Sequence, residues 1–342
     1  MTPSPQAAIL SAVTRSGRIE SRHRGSLVVV DRGVVRLALG DIDQAVYARS
    51  AVKPLQALPL LELGVADALA LSLAELSLTS ASHNGTPAHT AVAEQILARG
   101  GFTPADLLCG PHSPMDPVAG RALTAAGEKP RKIHNNCSGK HAGFLLLAQA
   151  MGVDKSRYLD PESASQLLVR QTVAEMVELE TEAIKVGMDG CGAPTLFLPL
   201  LSLARGFANL TNPEGQSDVR AGACQTLLRA ITAHPDVLAG EGRICTALIR
   251  ALPGAIYSKN GAEGVYAFGL PGRGIGAAIK VDDGQQRGYF PVVIELLAAL
   301  GMFPDGVPES LRTFQSVPVR NTLKVPVGEV RCELDLRDQL SP

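Results

Sequence analysis

Tryptophan is absent from this 342-residue chain, and all aromatic residues together make up 4% of it. So few rings leave little surface on which bases could stack, which speaks against single-stranded nucleic acid as a ligand. Charge of one sign is lacking too: 32 Lys and Arg face 33 Asp and Glu, a net charge of −1, with no long run of either sign. Protein surfaces that bind nucleic acid are basic, so no nucleic-acid partner is expected. No stretch reaches the roughly 18 uninterrupted apolar residues of a membrane span, and no membrane partner is expected either. Met1 to Val13 has no basic segment followed by a long apolar run, so the expected location is cytoplasmic. Cysteines number only six (Cys109, Cys137, Cys191, Cys224, Cys245 and Cys332), lie far apart and form no CxxC pair. This spacing favours free thiols or metal ligands over a disulfide framework.

What is present is apolar bulk, 46% against 19% charged, enough for a chain of this length to bury most of its apolar surface. Length alone allows about two domains. No repeat, low-complexity tract or long linker divides the chain, so residues 1–342 are expected to form a single catalytic unit. From Ala8 to Leu39 the apolar stretches are short and β-branched, broken at Ser16-Gly17 and Asp31-Arg32-Gly33 in the manner of hairpins. Ala255 to Tyr257, Gly264 to Phe268, Gly274 to Val281 and Glu329 to Leu336 read the same way.

The middle of the chain reads as helices. Thr86-Pro87 opens one that Gly100-Gly101 closes, and Thr103-Pro104 opens the next. Further helices are expected over Ser138 to Met151, from Asp160-Pro161 to about Leu179, over Ser217 to Ala233 and over Glu241 to Ala251. Strands, then helices, then strands predict an α+β fold: an antiparallel sheet from both termini, about 1–50 and 252–342, with an inserted helical lobe over about 51–251.

Three short motifs carry chemistry. Ser50-Ala51-Val52-Lys53 is a Ser-x-x-Lys, common by chance in a chain with 21 Ser and 9 Lys. At that spacing both side chains share a helix face, so the amine can reach the hydroxyl. A desolvated or cation-flanked lysine is neutral and can act as a base. Pro54 places the start of the regular helix near Val52, with Ser50 in a tight turn before it. Ser82-His83-Asn84 follows a helix boxed by Ser72 and Glu75; alone it reads as a polar helix end with Asn84 left-handed. Lys259-Asn260-Gly261 alone reads as an Asn-Gly hairpin turn. In this order and context the three form the pattern of serine penicillin-recognising enzymes, which transfer acyl groups. Ser50 would attack a carbonyl, Lys53 take its proton, Ser82 and Lys259 relay a proton to the leaving amine, and two backbone N–H groups hold the oxyanion.

Cys137, in His134-Asn135-Asn136-Cys137-Ser138-Gly139-Lys140-His141, and Cys191, in Met188-Asp189-Gly190-Cys191-Gly192-Ala193-Pro194, sit among glycines and polar residues. Cys224 and Cys245 lie in apolar helices and read as core. Two thiolates with one or two nitrogen ligands would suit Zn²⁺ with a coordination position left open, and buried free thiols fit the spacing equally well. His141 fits a ligand, an oxyanion donor or a helix-start cap.

Over nearly its whole length the sequence resembles the rhizobial-type, or class 3, L-asparaginases. The likeness runs through Arg49-Ser50-Ala51-Val52-Lys53-Pro54-Leu55-Gln56, Ser82-His83-Asn84-Gly85, Asn136-Cys137-Ser138-Gly139-Lys140-His141-Ala142-Gly143, Asp189-Gly190-Cys191-Gly192-Ala193-Pro194 and Lys259-Asn260-Gly261-Ala262-Glu263-Gly264-Val265. The resemblance implies a fold like the serine β-lactamases and glutaminases, a homodimer, and hydrolysis of L-asparagine to L-aspartate and ammonia. It also implies two Ser-Lys tandems, Ser50 with Lys53 and Ser82 with Lys259, and a zinc ion held by Cys137, Lys140 and Cys191, with Asp189 behind them and His141 near the substrate. Lysine binds a metal only when deprotonated, so the cation itself would have to lower the pKa of Lys140. Asparagine is a zwitterion; Arg49 is a candidate for its α-carboxylate and Asp189 for its α-ammonium, and Asn84 is a further candidate for binding the substrate. The alternatives are a glutaminase or other penicillin-recognising serine hydrolase on the same residues, and a non-catalytic zinc or amino-acid binder. The glycines of Gly269 to Gly276 precede a strand, unlike those of a nucleotide-binding fingerprint.

Overall fold

A computed structural model describes residues 6–340, so the first five and last two residues of the span assigned to the catalytic unit lie outside it. Eleven strands form among the described residues: β1 (Ala8–Arg15), β2 (Arg18–Asp31), β3 (Val34–Leu39), β4 (Ala45–Tyr47), β5 (Lys185–Met188), β6 (Pro194–Pro199), β7 (Tyr257–Asn260), β8 (Val265–Leu270), β9 (Ile275–Val281), β10 (Val317–Arg320) and β11 (Pro326–Cys332). Eight make one sheet in the order β10-β11-β1-β2-β9-β8-β7, with β3 paired to β2, and every pairing in it is antiparallel. Both ends of the chain supply its strands, as an α+β fold of this kind requires. The turns at Ser16-Gly17 and Arg32-Gly33 hold both residues at positive φ (48° and 77°, 46° and 80°), the backbone that matches strand twist in a two-residue hairpin.

The apolar core lies on this sheet. Leu27 to Val30 of β2 and Ala277 to Ile279 of β9 pack with Leu203 and Phe207 of the helix Leu200–Thr211, and with Val292, Val293, Leu296 and Leu297 of the helix Phe290–Ala299. Each such buried side chain contributes roughly 1.5–3 kcal/mol. Gly269 and Gly276 face each other across β8 and β9, and a Cβ on them would lie 2.4 Å from Phe207 O and 2.1 Å from Ala204 O. These glycines bring the helix down onto the sheet, while Gly272 and Gly274, at φ of 71° and 69°, form the turn. A second buried cluster surrounds the helix Ser138–Ala150, with Phe144 to Leu147 against Ile96 and Leu97. The motif segments fall on the seam: Ala51, Val52 and Val265 belong to the first cluster, Ala81, Cys137 and Cys191 to the second.

Several expected elements differ. The middle of the chain is not all helix, because β4, β6 and β5 form a small antiparallel sheet in that order. The Thr103-Pro104 start yields only a 3-10 turn, Pro104–Asp106. The helix expected from Asp160 begins at Ala164, where Ser163 accepts the N–H of Gln166 as its cap and so outcompetes the earlier proline. The helix expected from Glu241 begins at Ile244. The final strand is Pro326–Cys332, and Leu336–Leu340 is helical. The strand expected to end at Tyr257 instead begins there, which places Lys259 and Asn260 on β7 rather than in a hairpin turn. Glu263 and Gly264, at φ of 57° and 69°, take the left-handed positions of that turn, and Gly85 (φ 73°) rather than Asn84 takes the one after Ser82. Among the described residues no helix is long and apolar enough to cross a membrane.

Candidate active site

Arg49 opens the site with a φ of 49°, a conformation sparsely populated by residues with a side chain and found where a fold over-determines it. It turns the chain into the 3-10 turn Arg49–Val52, which runs into the helix Lys53–Glu62. Pro54 stands in the first turn of that helix, where its missing N–H leaves no bond unmade. The first bond of the 3-10 turn runs from Ala51 N to Ala48 O, so the N–H of Ser50 has no acceptor within it. The end of β7 lies against this turn. A Cβ on Gly261 would fall 3.0 Å from Ala48 O and 3.3 Å from Ala51 N, which is the steric reason for glycine in Lys259-Asn260-Gly261.

Ser72 and Glu75 box the helix Leu73–Thr79, and the chain beyond it is stitched down on both sides: Ser82 N donates to Leu238 O and His83 N to Asn136 O, at 3.0 and 3.1 Å. Two lysines converge on Ser82. Lys53 Nζ and Lys259 Nζ each lie 3.0 Å from its Oγ, and all three side chains are buried, at 1%, 0% and 3% exposure for Lys53, Lys259 and Ser82. Lys53 also donates to Ala81 O at 2.6 Å and to Cys137 Sγ at 3.1 Å. The Ser50–Lys53 contact expected from their spacing is therefore replaced by one between Lys53 and Ser82, and Ser50 is left half-buried at the mouth of the turn. Burial, with the charges of Lys53 and Arg243 adding to it, brings the Lys259 amine down to about 7.

Lys140, on the first turn of the helix Ser138–Ala150, donates to Cys191 Sγ at 3.3 Å. The Cys191 thiol hydrogen-bonded to Cys137 holds the latter well below the usual thiol range against its own burial, with the Lys53 and Lys140 charges assisting. Burial opposes the charged form of Lys140, but Cys191, Cys137 and Asp189 outweigh it and raise its pKa. Among the described residues no group of three or more His, Cys, Asp and Glu is arranged to hold a metal. A metal here would need Lys140 as a third donor beside the two thiols, and once the amine has shed its proton this soft and borderline set fits a zinc ion.

Asp189 is claimed by Arg49, whose Nε and Nη2 lie 3.0 and 2.8 Å from Oδ1, and Gly190 N donates to the same oxygen at 2.7 Å. Burial raises its pKa, but Lys140 and Arg49 more than offset this and keep it ionised. His141 is fully buried; burial, then the Lys140 and Lys53 charges, hold it neutral. Its Nδ1 lies 2.7 Å from the hydroxyl of Tyr158, which itself accepts Leu108 N–H at 2.8 Å. With Nδ1 accepting the tyrosine proton, the neutral ring carries its own on Nε2, a buried nitrogen with no protein partner. Asn84 donates through Nδ2 to Glu241 O at 3.0 Å and accepts from Arg243 Nη1 at 3.2 Å. Tyr158 and Arg243 were not expected at the site: they lie 17 and 159 residues from the groups they touch, and neither sits in a motif.

This is a fold of helices on an antiparallel sheet with two buried lysines sharing one serine hydroxyl. The sequence pattern described as L-asparaginase II matches residues 11–332, and the chain belongs to the L-asparaginase II family. Solved structures similar to it include Mglu in its native form, at 15% identity and a TM-score of 0.45, covering 82% of this chain and 64% of that one. Others are a provisionally assigned β-lactamase of Bacteroides dorei DSM 17855 (17%, 0.40, covering 75% and 84%) and a class C β-lactamase in complex with cefoxitin (13%, 0.37, covering 76% and 89%). No curated protein matches the chain.

Proposed function

We propose that this protein hydrolyses L-asparagine to L-aspartate and ammonia through a serine acyl-enzyme. The observation that carries the reading is the convergence of Lys53 and Lys259 on Ser82 Oγ in a member of the L-asparaginase II family. Ser50 is the nucleophile: it is the more accessible of the two serines, and its N–H stands free of the 3-10 turn to stabilise the oxyanion. As Ser50 Oγ bonds to the side-chain carbonyl carbon, its proton passes to the Ser82-lysine cluster, where Lys259 is neutral above about pH 7. The cluster returns that proton to the departing nitrogen, and ammonia leaves. Water then attacks the acyl carbon and gives a proton to the same cluster, which passes it to Ser50 Oγ as the acyl–oxygen bond breaks and L-aspartate leaves. His141 Nε2–H donates to a substrate oxygen. Asp189, held by Arg49, faces the α-ammonium, and Asn84 supports the neighbouring wall. Zinc on Cys137, Lys140 and Cys191 would keep both thiols ionised and offer an open position to a polar group of the substrate. The working form is a homodimer.

A second reading makes Ser82 the nucleophile, and the two lysine bonds to its Oγ favour it. Ammonia release from L-asparagine and L-glutamine, with Ser50→Ala and Ser82→Ala alongside, tests both. The expected outcome is release from asparagine in the native protein and a loss of at least about a thousandfold in Ser50→Ala. Full activity in Ser50→Ala transfers the nucleophile to Ser82, and no release from asparagine by the folded, zinc-loaded protein sinks the asparaginase reading.

A further inference from the structure

An amino-acid substrate brings a carboxylate into the site and needs a cation that the protein has not already neutralised. Arg49 is bound through two nitrogens to Asp189, and Lys140 is held among Cys191, Cys137 and Asp189. Arg243 differs from both. It is half-buried, its Nη1 lies 3.2 Å from Asn84 Oδ1 and 3.6 Å from Met115 Sδ, and no carboxylate pairs with it among the described residues. A half-desolvated guanidinium with only neutral partners is poorly compensated and gains most from a planar anion that can accept two of its N–H groups.

The segment that carries Arg243 is tied to the reacting groups. Asn84, two residues beyond Ser82, donates to Glu241 O. Gly240, at φ 120°, lies so close to Asn84 that a Cβ there would fall 2.5 Å from Nδ2. A cavity of about 410 Å³ opens at this point, with Arg243, Thr246, Ala247, Phe290 and Phe314 on its walls, within the size range of small-ligand sites. The other arginine on the wall, Arg250, is engaged by Asp236 and Glu241. Glu241 lines the same cavity, but its carboxylate is taken by Arg250, so Arg243 faces the cavity with no carboxylate of its own, and its charge is felt at Lys259.

We propose that Arg243, held in place by Asn84, receives the α-carboxylate of the substrate and so selects α-amino-acid amides over simple amides. This specificity role deepens the asparaginase reading and rests on it. The test uses the full chain with Arg243→Ala, Arg243→Gln and Arg243→Lys. Binding of L-aspartate is measured by calorimetry, and turnover is measured with L-asparagine and with β-alaninamide, which is asparagine without its carboxylate. Arg243→Gln keeps a hydrogen-bonding group toward Asn84 and stands in if Arg243→Ala does not fold. Measured on the high-pH plateau, where Lys259 is neutral with or without the Arg243 charge, neutral variants are expected to weaken L-aspartate binding and raise KM for asparagine by about 10- to 100-fold, with kcat nearly kept and β-alaninamide turnover unchanged; Arg243→Lys recovers part of the loss. Equal losses on both amides would reveal a structural role and overturn the proposal, as would native L-aspartate affinity in the neutral variants. If the native protein binds L-aspartate through Arg243 yet releases no ammonia, the asparaginase reading falls and the carboxylate site stands. If it does not bind L-aspartate, the carboxylate site falls, and turnover in the same sample decides the reading independently.

Discussion

Lys140 and Lys259 are both buried, at 3% and 0% exposure, and burial alone drives the two amines toward neutrality. Lys140 has Cys191, Cys137 and Asp189 around it and is held charged. Lys259 has Ser82 and Asn260 as bonding partners, with Lys53 and Arg243 as charged neighbours, and falls to about 7. One residue type is therefore readily neutral on one side of the site and held charged on the other. The difference lies in the anions supplied by neighbouring chain segments.

Removing Lys259 breaks the comparison most severely. Lys259→Met is expected to lower kcat by about a thousandfold in steady-state ammonia release, within the range of a lost general base. If Lys259 must shed its proton to act, kcat of the native protein is expected to rise about tenfold per pH unit up to about 7 and then level. Stability follows the same group. Between about 7 and the ordinary lysine value of 10.5 the unfolded chain binds more protons than the folded one, so stability climbs with pH across that window. Denaturation series at several pH values should show that climb in the native protein and its loss in Lys259→Met.

A milder change makes the Lys259 side resemble the Lys140 side. Asn260 Oδ1 lies 3.5 Å from Lys259 Nζ, so Asn260→Asp places a carboxylate beside the amine. The acidic limb of the pH profile should move up by about one unit, cutting activity at pH 7 several-fold while the high-pH plateau survives; an unmoved limb would detach that limb from Lys259. The smallest effect is expected on the opposite side. Cys191→Ala removes one sulfur beside Lys140 and leaves the Lys53–Cys137 contact in place, so it should release zinc and raise KM a few-fold with kcat nearly kept. Metal analysis showing stoichiometric zinc in Cys191→Ala would refute the ligand set.

Much of the fold was legible from neighbours a few residues apart. Ser72 with Glu75, Thr86-Pro87 with Gly100-Gly101, and the Ser16-Gly17 and Arg32-Gly33 turns mark ends where local backbone chemistry decides. The small sheet was not legible, because β5 has four residues and is defined only by its pairing with β6. Asp160-Pro161 misled because proline tolerates a helix start without compelling one, and the hydroxyl cap of Ser163 won. The motif residues were visible as types in order, but the Lys53–Ser82, Arg49–Asp189 and Arg243–Asn84 contacts span 29, 140 and 159 residues.

The sequence by itself determined that this is a mixed helix-and-sheet chain with hairpins at its start, and that Ser50, Lys53, Ser82, Lys259, Cys137 and Cys191 are its chemically distinctive residues. Tertiary structure alone decided which amine meets which hydroxyl, which arginine is already paired and which buried lysine is left without an anion. Caps and turns are settled by bonds within one turn of chain, whereas charge state and pairing depend on what distant segments bring into the same small, dry volume.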